Sequence, residues 1–91
     1  MATQVLTQFP EVSTSSLREL QWSIDFWSRA YAKAGYRSEI AWQMYGDAID
    51  NEEPHSQIDQ LFIIATMFDG IRSDAWRKWD EAKAQYLARM N

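Results

Sequence analysis

His55 stands directly before Ser56, which places the chain's one imidazole beside a hydroxyl. Nucleophilic catalysis asks for more than adjacency: the base must reach the hydroxyl in space, and a third group must orient the base. Neighbours at a helix start do not provide that, so His55 reads as an exposed loop histidine. Five carboxylates surround it in sequence: Asp47, Asp50, Glu52, Glu53 and Asp59. Carboxylates are the ligands of Ca²⁺ and Mg²⁺. Here no glycine occupies the sixth position of a twelve-residue loop and no glutamate closes it, so the spacing is not that of an EF-hand. The group reads as a solvated turn, its anions suited to a nearby helix N-terminus. A second reading makes it an acidic edge that docks on a basic surface of a partner.

Other chemistries lack their residues. There is no cysteine, which excludes disulfides, thiol catalysis and, with a single histidine, nearly every structural zinc site. Gly35, Gly46 and Gly70 stand alone, so no loop cradles a phosphate. Paired carboxylates acting as acid and base need a pocket with contrasting environments, which a small helical core has little room for. The expectation is a protein that is not an enzyme and uses no metal or cofactor.

The elements that must position these residues are helical. Residues 1–14 carry Val5, Leu6, Phe9 and Val12 without helical spacing, interrupted by Pro10, and read as an irregular N-terminal tail. Residues 15–91 read as one helical domain. A first segment, about 17–34, opens on the capping-box pair Ser16 and Glu19 and stops at Gly35. Its residues Leu17, Leu20, Ile24, Trp27, Tyr31 and Ala34 step by three and four along one stripe. A second segment, about 39–49, follows cap Ser38, and Pro54 enforces a turn after it. A third, about 57–69, follows cap Ser56 and ends at Gly70; being apolar nearly all round, it reads as a central buried helix. A fourth, about 74–90, follows cap Ser73 and carries the stripe Ala75, Trp79, Ala82, Tyr86 and Met90. The fold expected is all-α, a compact four-helix domain. The open alternative is that Gly70 does not separate the last two segments, which would then be one kinked helix. Gly46 either permits close helix approach or breaks its helix.

One feature exceeds what a single core requires. Trp22 and Phe26 lie four residues apart on the side opposite the Leu20–Trp27 stripe, and Arg29 and Lys33 continue that second face. Three readings fit. The tail (Phe9 and Val12) or the second helix covers the pair. Alternatively the face is a partner-binding surface or an oligomer interface, where Trp and Arg are enriched. Or the rings stack nucleobases beside the two cations. A net charge of −4 and a pI near 4.8 weigh against direct nucleic-acid binding. No apolar run approaches the ~20 residues of a membrane span, and the first residues do not have the pattern of a signal peptide. A cysteine-free chain of this kind fits the cytoplasm.

Tyr45-Gly46-Asp47-Ala48-Ile49-Asp50 resembles a hexapeptide of small helical phage anti-CRISPR proteins and covers six of the 91 residues. The resemblance implies a small acidic inhibitor that blocks a nuclease complex, and it transfers no functional residue. The function expected is thus a non-catalytic protein-binding module, an inhibitor or adaptor from a phage or other mobile element. The alternative is a structural or assembly protein that forms a homo-oligomer through the aromatic face of the first helix.

Overall fold

A computed structural model describes residues 16–90 of the chain. They form two helices and not four: α1, Leu17–Asp50, and α2, His55–Met90. The helices fold back on each other as an antiparallel hairpin. Gln21 meets Tyr86, Tyr31 meets Arg72, and Ser38 meets Asp69, so partner numbers fall on α2 as they rise on α1. At 1.5 Å per residue, each helix is roughly 50 Å long.

The start of α1 follows the sequence signal. The Ser16 hydroxyl accepts from the Glu19 amide at 3.2 Å, and the Glu19 carboxylate accepts from the Ser16 amide at 2.9 Å. The expected stop at Gly35 does not occur, because α1 runs on through Gly35 and Gly46 to Asp50. The real stop is a Schellman turn: the Glu52 amide donates to the Ile49 carbonyl and the Glu53 amide to the Ala48 carbonyl, both at 3.0 Å. Glu52 occupies the left-handed position, at φ 54°, where glycine is the usual residue. The Pro54 carbonyl then accepts from the amides of Gln57 and Ile58, opening α2.

Three serines expected to cap helices lie inside them. Ser38 is buried within α1, and Ser56 and Ser73 are exposed within α2. The segments expected at 17–34 and 39–49 are therefore one helix, and those at 57–69 and 74–90 are another. Gly70 does not divide α2, and an added Cβ there would meet nothing within 4 Å. Gly46 is equally open, so it serves neither close packing nor a break.

A seven-residue repeat explains why two long helices replace four short ones. Leu20, Trp27, Ala34, Ala41 and Ala48 recur every seven residues on α1, with Ile24, Tyr31, Ser38 and Tyr45 interleaved. Ile58, Ala65, Arg72, Trp79 and Tyr86 do the same on α2, with Leu61, Phe68, Ala75 and Ala82 between them. Strict heptads keep one seam facing a partner along the whole length of a helix. Every fully buried residue among those described lies on this seam: Leu20, Ala34, Ser38, Ala41, Ala48, Ala65, Ala75 and Ala82. Only Leu20 is large. The third segment, read as a central buried helix, instead exposes Phe62, Ile63 and Met67.

Candidate functional site

The face singled out in sequence lies at the open end of the hairpin, on the outer side of α1. Trp22 is 64% exposed and Phe26 46%. Their rings stack on each other, centroids 5.4 Å apart and 18° from parallel, and Phe26 meets Trp27 edge-on at 4.8 Å. Trp22, Asp25, Phe26, Arg29, Ala30 and Lys33 line one shallow groove, so all four residues expected to bind a partner come together. Arg29 forms an exposed ion pair with Asp25 one turn back. Lys33 is the cation of this groove without a salt bridge among the described residues.

The geometry narrows the three readings of this face. The second helical segment cannot cover it, because that segment is the continuation of α1 itself. Phe9 and Val12 lie outside the described residues. Base stacking is disfavoured, since the two rings already face each other and Asp25 neutralises the nearer cation.

The acidic group gathers at the opposite end, around the turn. Asp47, Asp50, Glu52 and Asp59 are exposed there and Glu53 is half-buried. No cluster of three side chains able to hold a metal ion occurs among the described residues. His55 is the exposed first residue of α2.

A third group, missed in sequence, sits between the helices. Asp69 of α2 accepts from the Ser38 hydroxyl and, at 3.0 Å, from the Trp42 indole N–H. These two hydrogen bonds, with the nearby Arg72 guanidinium, hold its carboxyl below the usual carboxylate range, against the opposing effect of partial burial. Arg72 itself lies 4.9 Å over the Tyr31 ring and donates to its hydroxyl at 3.0 Å. Next to this group Trp42, Tyr45 and Phe62 form an aromatic cluster, with centroids 5.4 to 5.8 Å apart. An ionised carboxylate with each oxygen already accepting is a poor general base. Its geometry suits fixing the register of α1 against α2. The only sequence signal for it was a polar seam position, Ser38, in an otherwise apolar repeat.

No described helix is long and apolar enough to cross a membrane. No protein-family model, curated protein or solved structure matches the chain, so its assignment rests on the geometry of the hairpin alone.

Proposed function

We propose that the chain is a non-catalytic binding module whose open end grips another protein through Trp22 and Phe26, with Lys33 at the rim. The observation that carries this reading is the exposed, mutually stacked pair on a rigid helix. Large rings held in place lose little conformational freedom on binding, and Trp is among the residues that dominate interface energies. A protein that adds nothing but a surface acts by occluding or bridging its partner, which fits an inhibitor or adaptor. A cytoplasmic setting fits the lack of cysteine. The phage resemblance of residues 45–50 gains nothing from the comparisons and adds nothing to this reading.

The test is affinity capture from the native host with wild type, Trp22→Ala and Phe26→Ala, each first shown to melt at an unchanged temperature. A specific partner whose retention drops at least about tenfold with either variant is expected, the loss typical of an interface anchor. Equal retention by all three proteins, or unfolding of the variants, removes these rings from the binding surface.

A further inference from the structure

A second apolar face lies on the flat side of the hairpin, and helical geometry places both helices in it. Trp42 and Asp69 meet on one flank of the seam. Ile40 and Met44 lie two residues to either side of Trp42, and Met67 and Ile71 two residues to either side of Asp69. Two residues turn an α-helix by about 200°. All four side chains therefore lie on the other flank, with Tyr36 and Ile63 one turn further on and turned about 40° outward, at its margins. Their exposures run from 37% at Ile40 to 66% at Tyr36.

Charge brackets this patch asymmetrically. Lys33 and Asp47 each stand seven residues from Ile40, hence within about 20° of it around α1, one towards the open end and one towards the turn. Neither has a salt bridge among the described residues. Beyond Asp47 lie Asp50, Glu52 and Glu53; on the open-end side Arg37, seven residues before Met44 and in its row, adds a second cation to Lys33. A surface that is apolar in the middle, basic on one side and acidic on the other is complementary to itself when turned end for end.

We infer that this face binds a second copy of the chain, in an antiparallel dimer with its two-fold axis passing at Ile40. In that arrangement α1 lies against α1 and α2 against α2, and Lys33 of each copy faces Asp47 of the other. Such an isologous contact repeats every pairing twice. Its size is sufficient. With the axis at Ile40, the overlap runs from the turn back to residue 28, about 36 Å at 1.5 Å per residue, across two helices about 10 Å wide each. That is roughly 720 Å² per copy, close to the ~800 Å² per partner of a stable interface. Trp22 lies beyond the overlap and Phe26 at its edge, while Lys33 belongs to both surfaces. Trp22→Ala and Asp47→Lys, and not Lys33→Glu alone, therefore separate the dimer from the binding reading above.

Sedimentation equilibrium and cross-linking test the dimer. At micromolar protein the expected mass is twice 10.7 kDa. Ile40→Cys, in a chain with no other cysteine, forms a disulfide-linked dimer under mild oxidation faster than Ser73→Cys on the opposite flank. Lys33→Glu and Asp47→Lys each raise the dissociation constant about tenfold or more, and the double variant restores it. Trp22→Ala leaves the mass unchanged. A monomer at every concentration, equal cross-linking at positions 40 and 73, or failure of the double variant to restore association overturns the dimer. In the monomer case the face belongs to another occupant.

Discussion

The seam between the helices and the flat face beside it are built from opposite materials. The seam holds Ala34, Ala41, Ala48, Ala65, Ala75 and Ala82, all fully buried. The face holds isoleucines, methionines and a tyrosine, all at least one-third exposed. Each buried alanine removes little more than a methyl group from water, worth about 0.8 kcal/mol. Small seam residues bring two backbones close and fix a register, with modest hydrophobic stabilisation. The seam also holds the buried Leu20 and the half-buried Trp27, Phe68 and Trp79, while the large apolar side chains of the flat face stay outside and keep their potential for association. Ser38 fits this division: it is buried and polar, and it spends its hydroxyl on Asp69.

The widest separation of the two regions comes from size. Ala41→Leu forces three extra carbons into the tight seam and is expected to destabilise the hairpin by about 2 kcal/mol, within the usual cost of overpacking. Met44→Leu, three residues on but on the face, changes stability by less than about 0.5 kcal/mol. Urea melts of both variants, at a concentration below dimer formation, measure the contrast; similar losses would mean that the face is packed too.

Glycine gives a finer probe. Gly46→Ala enters open space and gains helix propensity, about +1 kcal/mol in thermal melts. At Gly35 an added Cβ would stand 3.3 Å from Arg72 Nε, and that guanidinium is held on Tyr31. Gly35→Ala is therefore expected to gain less than Gly46→Ala, or to lose stability outright. An equal gain at both positions would show that the seam edge is looser than its contacts suggest.

The smallest effect concerns pH. Asp69 has a lowered carboxyl pKa, so its contribution to stability is present above the unfolded value near 3.8 and is lost as pH falls through the lower folded value. Asp69→Asn keeps an acceptor for Ser38 or Trp42 but does not titrate. Acid titrations followed by circular dichroism should show a shallower loss of helix below pH 4 in the variant than in wild type. Parallel curves would remove Asp69 from the acid response.

Sequence reading recovered the helical class, the cap at Ser16 and the turn before Pro54, because each has a local physical cause. It divided the chain wrongly for an equally physical reason. Serine and glycine end helices in globular domains, and here Ser38 is a seam residue while Gly35 lies at the seam edge, places where a small side chain is what packing needs. The true end of α1 carries no glycine at its left-handed position, so Glu52 gave no warning. The seven-residue recurrence from Leu20 to Ala48 was present throughout, and counting it in place of reading stops would have joined the segments. The outward position of Trp22 and Phe26 was legible from a helical wheel. The second apolar face was not, since Ile40, Met44 and Met67 acquire an outside only once the seam is known.

A two-helix rod also converts sequence separation into length in a way a globule cannot. Phe26 and Asp50 are 24 residues apart on the same helix, which sets the aromatic and the acidic ends about 36 Å from each other. Within one copy those ends are too far apart for one small partner to span. In the antiparallel dimer the acidic turn of each copy comes to lie beside the aromatic end of the other, so pairing would turn two distant features of one chain into one composite surface.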